Sequence, residues 1–414
     1  MFTEYLKEIK NIKYCAKEGA RVLVRIDINS PLDPKTKEIL DDYRFQAHAK
    51  TIDYLVKSGC RVVILAHQGR PGREDFTSLE KHKKVLEKYL GYSIDFIDDV
   101  MGPSARERIK SLKPGEVLLL DNVRFISEEV IERKIEAQAN TYLVRKLAPL
   151  FDYFVFDGFA VAHRAQPSVV GFPLVLPSCM GLVLEDELKS LAEIEQSKGR
   201  AVLVAGGAKV PETLRALEEA LRKNLFSKVL VGGLLGVVFI AAKYGFLTSE
   251  LKRMIENYGL LSYVDYAKTL LNNYSESIEI PTDVAINVEK SRIDVDVYSI
   301  SNDVMDIGSI TIRNYIDKIR EAEIVVFSGP LGYIEDDNFI KGTATLLQES
   351  ISMNKKVIIA GGHTIALARK IGLINKVTHV STGGRAFLES IVGRDLPALR
   401  ALRMSCSRNI KKPG

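Results

Sequence analysis

The sequence predicts an α/β protein with two doubly wound parallel-sheet domains joined by a hinge helix. Short apolar runs of strand length alternate with amphipathic helical segments along both halves of the chain. A proline-containing stretch at residues 167–187 interrupts this alternation, and an acidic amphipathic helix is expected at about 183–197. A chain of 414 residues also has the length of two domains rather than one.

The first half supplies one strand–helix series. Residues 45–57 carry apolar side chains at helical spacing, which predicts a helix. A second helix is predicted at 78–90, opened by Thr77 with Glu80 three residues later, which is a capping-box pattern. The apolar runs that predict strands are 22–28, 62–67, 94–98, 117–123 and 153–159. Strands that alternate with helices in this way form a parallel, Rossmann-like sheet.

The second half repeats the plan and adds glycine pairs. Its predicted strands are 201–205, 228–231, 282–287, 323–328, 356–360 and 378–381. Glycine pairs follow at Gly206-Gly207, Gly232-Gly233, Gly361-Gly362 and Gly383-Gly384. We therefore expect an N-terminal domain at 1–175, a hinge and helix at 176–198, a C-terminal domain at 199–395, and a tail at 396–414 that returns toward the first domain.

Composition excludes several classes of protein. With 46% hydrophobic and 27% charged residues and a net charge of +5, the chain resembles an ordinary globular protein. It contains no long Lys/Arg block, so neither nucleic acid nor a membrane surface is an expected partner. The longest apolar run, Val229 to Ala242, is too short to cross a bilayer and predicts a strand followed by a buried helix.

The cysteines and the N-terminus favour a cytoplasmic protein. Cys15, Cys60, Cys179 and Cys406 are scattered and form no CxxC pair, which argues against a zinc site and against a disulfide framework. The first residues lack the apolar core of a signal peptide. We expect a reducing compartment.

The segment Arg25–Pro31 is the first candidate for a binding site. Asp27 and Asn29 lie two residues apart near the end of a predicted strand, so a strand that continued through them would point both side chains to one face. Pro31 then ends the strand. Alone, this pattern also fits a strand end with a solvated acid and a turn-forming amide, and the other strand ends decide between the two interpretations.

Basic groups follow the other strands of the first half. The carboxyl ends of parallel strands share one edge of the sheet, where α/β proteins build their sites. Because guanidinium groups match carboxylate and phosphate oxygens, the arginines that follow these strands predict a pocket for a small, highly anionic molecule. The polar groups are Arg44, His67, Gln68, Arg70, Asp121, Asn122, Arg124, Asp157, His163 and Arg164.

The glycine pairs of the second half predict a nucleotide site. Glycines at strand-to-helix turns let backbone N–H groups approach phosphates at a helix N-terminus. Lys209 lies in the turn before Pro211 and is placed to meet a transferring phosphoryl group, and Glu335 is a candidate acceptor for ribose hydroxyls. Neither a P-loop sequence nor a GxGxxG motif is present.

The ordered set of motifs resembles phosphoglycerate kinase from about residue 20 to residue 398. The motifs are RIDINSP, DDYRF, HQGRP, LLLDNVRF, FDGFAVAHRA, GGAKV, FSGPLG, GGHT and HVSTGG. The resemblance is to an archaeal-type member. It implies a two-domain, monomeric enzyme that reversibly transfers a phosphoryl group between 1,3-bisphosphoglycerate and ADP, with Mg²⁺ as cofactor. The transfer is expected to be direct and in line, after domain closure.

The resemblance also assigns roles to residues. It implies that Arg44 and Lys209 are catalytic. The implied ligands of 3-phosphoglycerate are Asp27, Ile28, Asn29, Arg44, His67, Gln68, Gly69, Arg70, Arg124 and Arg164. The implied ligands of ATP or ADP are Gly206, Gly207, Lys209, Glu335, Gly361, Gly362, His363 and Thr364.

Four positions depart from the family pattern. Thr213 replaces a second lysine, Ser328 an asparagine, and Arg385 the third of three glycines. His363 replaces an aspartate that contacts magnesium in relatives, and imidazole is a poor substitute because Mg²⁺ prefers oxygen ligands. We therefore expect the metal to be held mainly by nucleotide phosphates and water, with Asp283 or Asp306 as a candidate outer-shell acid.

Three alternatives remain open at this point. A catalytically weak nucleotide-binding relative is suggested by Thr213 and His363, whereas the retained Arg44 and Lys209 argue against it. A kinase for another small carboxylate would not need this arginine set. A nicotinamide-dependent dehydrogenase is disfavoured because its glycine fingerprint is absent.

Overall fold

The computed structural model describes residues 1–391, 393 and 396–408. These residues form two compact units, of which the first contains Met1–Lys189 together with the C-terminal helix and the second begins at Ser190. Within the described residues, no helix combines the length and the apolar character needed to cross a membrane.

The first unit is built on a six-stranded parallel sheet in the order β3-β4-β2-β1-β5-β6. The two neighbouring strands β1 and β2 are buried after their first residue and, apart from the Arg25 that ends β1, apolar there, as expected of a parallel sheet covered on both faces. The strands are β1 Arg21–Arg25, β2 Arg61–Leu65, β3 Asp95–Ile97, β4 Val117–Leu120, β5 Tyr153–Phe156 and β6 Ser178–Met180. The parallel sheet is confirmed, and β6 was not predicted.

The helices of the first unit lie before, between and after these strands, and the helix that follows β6 continues past Ser190 into the second unit. They are α1 Phe2–Glu8, α2 Ile12–Cys15, α3 Tyr43–Lys57, α4 Glu80–Leu90, α5 Pro103–Ser111, α6 Ile135–Gln138, α7 Tyr142–Leu147 and α8 Leu182–Gln196. The capping box predicted for α4 is wrong. The Thr77 hydroxyl bonds the Ser78 carbonyl instead, and the Leu79 N–H donates to Asp121 Oδ1 at 2.8 Å.

The second unit contains two sheets. Six parallel strands form the larger one in the order β15-β14-β13-β7-β8-β9, and three antiparallel strands form the other in the order β11-β10-β12. The strands are β7 Ala201–Ala205, β8 Phe226–Val231, β9 Ile278–Glu279, β10 Asp283–Val288, β11 Ser291–Asp296, β12 Val304–Ile307, β13 Ile324–Ser328, β14 Lys356–Ala360 and β15 His379–Val380.

The run predicted at 282–287 was expected in the parallel sheet, and this expectation is wrong. It forms β10, the centre of the antiparallel sheet. Glu289 and Lys290, both with positive φ, turn the chain directly into β11, which is too polar to read as a buried strand.

The helices of the second unit are α9 Val210–Arg222, α10 Gly233–Tyr244, α11 Ser249–Asn257, α12 Leu261–Tyr274, α13 Ser309–Arg320, α14 Lys341–Ser352, α15 Gly362–Lys370 and α16 Arg385–Ile391. The last helix, α17 Pro397–Ser407, belongs to the first unit, where the Ser405 hydroxyl donates to the Leu176 carbonyl at 3.1 Å. Residues 392, 394 and 395 of the predicted C-terminal domain and residues 409–414 of the predicted tail lie outside the described residues.

Two of the four cysteines pair, contrary to the expectation from the sequence. Cys15 of α2 and Cys179 of β6 are both fully buried and form a disulfide, with their Cα atoms 6.4 Å apart. Cys60 and Cys406 are free thiols. The expectation failed because the pair is separated by 164 residues, and spacing alone does not reveal which cysteines a fold brings together.

Candidate functional site

The segment after β1 forms a turn rather than a continuation of the strand. β1 ends at Arg25, so the expectation that strand alternation places Asp27 and Asn29 on one face is wrong. The Asn29 N–H donates to Asp27 Oδ1 at 3.1 Å, as in an Asx turn. The side chain of Ile28 is fully buried in the core, so this residue can offer a ligand only its backbone.

Asp27 and Asn29 orient Arg44 at the start of α3. Arg44 Nη1 lies 2.6 Å from Asp27 Oδ2 and donates to the Asn29 carbonyl at 2.8 Å. The Asp27 side chain is 2% exposed, whereas that of Arg44 is 28% exposed. The guanidinium is therefore held from one side and keeps accessible surface with which it can contact an anion.

The loop after β2 brings His67, Gln68 and Gly69 to the same place. The Gly69 N–H donates to Asn29 Oδ1 at 2.8 Å, which joins this loop to the Asp27 turn. Gly69 has φ +66°, and a Cβ there would clash with the backbone of Asp75. The Gln68 side chain bonds both the N–H and the carbonyl of Ser30 at 3.0 Å, so it braces the two loops and leaves only its backbone for a ligand.

Arg124 joins the cluster from the turn after β4. It is 6% exposed and donates to the Gly69 carbonyl. Asn122 fixes the turn, because its Oδ1 accepts the Arg124 N–H at 3.1 Å and its Nδ2 donates to the Gln68 carbonyl at 2.7 Å. Burial, followed by the charges of Arg164 and Arg25, lowers the pKa of Arg124 to about 10.

His67 lies among these arginines and is neutral. Burial, followed by the charges of Arg25, Arg124, Arg164 and Arg44, holds the pKa of His67 well below its usual range. Positive groups that depress one another's pKa values favour binding of an anion, which relieves their repulsion. Arg70 is exposed and also acts on Arg124, whereas Arg164 is half-buried. The predicted convergence of basic groups is therefore present.

Arg25 is a residue of this site that the sequence did not identify. It is fully buried and its Nε donates to Ser168 Oγ at 2.9 Å, while Ser168 in turn bonds the buried Glu129 carboxylate. Arg25 Nη2 lies 3.0 Å from His67 Nδ1. Because a guanidinium only donates, Nδ1 must accept, and the proton of the neutral imidazole lies on Nε2. Its position at the start of the segment that contains Asp27 was the only signal in the sequence.

In the second unit, the glycine turns pack on one another. The Gly206 N–H donates to the Ser328 carbonyl at 3.1 Å and the Gly207 N–H to the Pro330 carbonyl at 2.8 Å. A Cβ on Gly206 would clash with the Pro330 backbone. The expectation that these two N–H groups are available to a phosphate is wrong, because the glycines allow neighbouring turns to approach and their N–H groups are used there.

In the second unit, the start of α15 and Lys209 are exposed. Gly361 has φ +94° and begins α15 without a side-chain cap, and Gly362 and His363 of its first turn are exposed. Lys209 is exposed at the start of α9, also without a side-chain cap. An uncapped helix start with a nearby lysine suits a phosphate.

The other predicted nucleotide residues have varied surroundings. Thr364 is buried and its Oγ1 accepts the Gly329 N–H at 3.0 Å, which joins the α15 turn to the turn after β13. Thr213 donates to the Lys209 carbonyl of its own helix at 2.9 Å. Glu335 lies on an exposed loop.

Neither aspartate proposed for the metal's outer shell is free to take that role. Asp283 Oδ1 accepts the Thr311 N–H at 2.7 Å and Oδ2 the Ile310 N–H at 2.9 Å, which caps α13. Asp306 accepts Arg292 Nη1 at 2.8 Å and the Gly342 N–H at 2.7 Å. Within the described residues, no group of three or more His, Cys, Asp or Glu side chains is arranged to hold a metal ion.

Comparisons with known proteins agree on one family. The family model described as phosphoglycerate kinase matches residues 12–394. The chain is 52% identical to a phosphoglycerate kinase of Pyrobaculum aerophilum over 99% of both chains, and 46% identical to one of Sulfurisphaera tokodaii over 94% of both. A crystal structure of phosphoglycerate kinase from Pyrococcus horikoshii matches with a TM-score of 0.89 and 38% identity, covering 96% of this chain and 99% of that one.

Proposed function

The chain belongs to the phosphoglycerate kinase family, and we propose how its residues divide the work of that family's reaction. The enzyme is a glycolytic kinase that reversibly transfers a phosphoryl group between 1,3-bisphosphoglycerate and ADP to give 3-phosphoglycerate and ATP. The convergence of arginines on the buried His67 is the observation that carries the assignment of sites, with Arg25 Nη2 3.0 Å from His67 Nδ1. Burial, followed by the charges of four arginines, holds the pKa of His67 well below its usual range.

The first unit binds the phosphoglycerate in this proposal. A molecule with a phosphate at one end and a carboxylate or acyl phosphate at the other matches a cluster in which several guanidinium groups meet. Arg44, Arg124 and Arg164, with the exposed Arg70, neutralise the two anionic ends. His67 adds an uncharged Nε2–H donor, and the Asp27–Asn29 turn sets the orientation of Arg44.

The second unit binds the nucleotide. The phosphates lie at the uncapped start of α15, where Gly361, Gly362 and His363 offer backbone N–H groups. Thr364 holds that turn in place, Lys209 contacts the transferring phosphoryl group, and Glu335 accepts hydrogen bonds from the ribose. Gly206 and Gly207 contribute shape rather than N–H donors.

Magnesium enters as part of the Mg–nucleotide substrate. The described residues offer no set of carboxylates for a protein-held ion, and the imidazole of His363 is a poor ligand for Mg²⁺. We therefore assign the ion's coordination to nucleotide phosphates and water. A nucleotide complex with His363 bound directly to the metal would contradict this assignment.

The chemistry requires alignment and charge neutralisation more than acid–base catalysis. An oxygen of the ADP β-phosphate attacks the acyl phosphorus in line, the bond to the carboxylate oxygen breaks, and 3-phosphoglycerate leaves as a carboxylate. Arg44 and Lys209 stabilise the charge on the transferred group. We propose that domain closure excludes water during transfer, that the enzyme works as a monomer, and that it acts in the cytoplasm.

A coupled assay tests this proposal. ATP consumption is measured with 3-phosphoglycerate, with unphosphorylated glycerate, and with neither, in each case with Mg²⁺ and with excess chelator. We expect turnover only with 3-phosphoglycerate and Mg²⁺ together. Equal turnover with glycerate would favour a kinase for another carboxylate, and no substrate-dependent turnover would favour a catalytically weak nucleotide-binding relative.

A further inference from the structure

One face of α3 carries three polar side chains in a row. Arg44, His48 and Thr51 are spaced four and three residues apart, so they lie on the same face of the helix. Arg44 contacts Asp27, as described above, whereas His48 and Thr51 are fully buried and have no part in the proposed reaction. Two buried polar side chains at helical spacing, directly beside a binding-site arginine, require an explanation of their own.

His48 joins the Asp27 turn to a buried carboxylate. The Asp27 backbone N–H donates to His48 Nε2 at 3.3 Å, and His48 Nδ1 lies 2.9 Å from Asp157 Oδ2. Because Nε2 accepts, the proton of the neutral ring must be on Nδ1, from which it is donated to Asp157. His48 and Asp157 are both fully buried, so solvent does not compete for these bonds.

Asp157 in turn caps α8. Its other oxygen, Oδ1, accepts the Val183 N–H at 2.9 Å and the Leu184 N–H at 3.1 Å, both in the first turn of that helix. A carboxylate in this position satisfies unpaired helix N–H groups and suits the helix dipole. A Cβ on Gly181 would clash with the Asp157 carboxylate, so the chain reaches this contact only with glycine at that position.

Thr51 completes the junction, because its Oγ1 accepts the Leu182 N–H at 3.1 Å. The face of α3 therefore runs from a residue of the binding site to the first turn of α8. The helix α8 begins in the first unit and ends past Ser190, the first residue of the second unit. The first turn of α8 is thus close to the point at which the chain leaves the unit that holds the arginine cluster.

We propose that His48 and Asp157 are positioning residues that couple the Asp27 turn to the first turn of α8. The proposal rests on the proposed function, because it takes phosphoglycerate as the molecule that occupies the site. When the ligand orders the Asp27 turn, the Asp27 N–H is fixed on His48 and the imidazole is fixed on Asp157. The two N–H bonds of α8 that Asp157 accepts are then strengthened, although neither Val183 nor Leu184 is a proposed ligand residue.

Two replacements of His48 separate its two contacts. An asparagine amide takes the place of Nδ1, so His48→Asn keeps a donor for Asp157 and leaves the Asp27 N–H without its acceptor. A glutamine amide takes the place of Nε2, so His48→Gln keeps an acceptor for Asp27 and removes the donor to Asp157. Thr51→Val is the matched control, because it weakens the same turn of α8 without touching the connection to Asp27.

The experiment measures hydrogen exchange of the Val183 and Leu184 amides with and without saturating 3-phosphoglycerate, while calorimetry records binding independently. In the wild type, we expect the ligand to slow exchange of these amides by about fivefold, as one hydrogen bond of typical net strength would. Both His48 variants should bind the ligand and lose this slowing. Thr51→Val should exchange faster in the free state and keep the slowing.

The other outcomes overturn the proposal. Equal slowing in the wild type and in both His48 variants, or binding to the wild type with no slowing at all, would show that the connection carries no coupling. If calorimetry detects no binding of 3-phosphoglycerate to the wild type, the proposed function itself fails and the coupling fails with it. A His48 variant that does not fold leaves the decision to the second variant, since each removes a different contact.

Discussion

Replacing Asp27 with alanine tests how this residue contributes to substrate binding in the first unit. Asp27 is an acid inside a cationic cluster, so its removal has two opposite effects. The loss of a negative charge by itself strengthens the attraction for an anionic substrate, which would lower KM. The loss of the acceptor 2.6 Å from Arg44 frees that guanidinium to adopt other orientations, which would raise KM. The sign of the change shows which effect dominates.

The structure favours the second effect. At an effective dielectric constant of about 20, unit charges 2.6 Å apart attract by about 6 kcal/mol, and solvation of the partly exposed Arg44 offsets most of this. A charged hydrogen bond is worth a net of about 1.5–3 kcal/mol, so KM for 3-phosphoglycerate should rise about 10- to 100-fold. KM for ATP should stay within about twofold, because the nucleotide is assigned to the second unit.

Steady-state kinetics with each substrate varied in turn provides the measurement. Asp33→Ala is the control, since it removes the same charge from an acid that caps a surface turn through the Lys35 N–H. It should change neither KM value. An unchanged or lower KM for 3-phosphoglycerate in Asp27→Ala would refute the orienting role, and an equal rise in both KM values would indicate general damage to the fold.

Three further predictions concern other parts of the chain. Lys209→Ala should lower kcat about 100-fold or more with little change in KM for ATP. Arg222→Ala, at the far end of α9, should leave kcat unchanged. Turnover of Lys209→Ala within a few-fold of wild type would show that Lys209 is not catalytic. Burial lowers the pKa of His82 from 6.5 to about 4, so the unfolded chain binds the extra proton between these values. The free energy of unfolding should therefore be highest above pH 6.5 and fall by up to about 3 kcal/mol toward pH 4, and chemical denaturation of His82→Gln should show a flatter profile. Cys179→Ser should lower the free energy of unfolding by up to about 5 kcal/mol in the chain-entropy model, whereas Cys406→Ser, at a free and partly exposed thiol, should not. Two reactive thiols per non-reduced, denatured chain are expected, and four would contradict the disulfide.

The sequence could predict those parts of the site that follow from strand periodicity. Runs such as Val22–Val24 are apolar throughout because a parallel strand is buried on both faces. This pattern predicts where each strand ends. The groups that follow those strands, among them His67 and Arg124, do converge. Parallel strands align their carboxyl ends, so knowing the sheet was enough to bring these residues together.

The direction of each side chain could not be predicted in the same way. Gln68 follows a strand as His67 does, yet it turns inward to brace Ser30, because the backbone of the neighbouring loop needed partners. Arg25 has no pattern that separates a buried support for His67 from a surface residue. Gly206 signals a close approach, but only the packed turns show that the approaching group is the protein's own backbone.

Titration calorimetry of 3-phosphoglycerate tests the central claim most directly, namely that the arginines around His67 form the phosphoglycerate site. The wild type is compared with Arg124→Met, which removes one buried guanidinium of the cluster, and each protein is also titrated with Mg-ADP. We expect Arg124→Met to bind 3-phosphoglycerate about 10- to 100-fold more weakly at fixed salt and to bind Mg-ADP as the wild type does. Unchanged affinity for 3-phosphoglycerate in a folded Arg124→Met protein would contradict the claim.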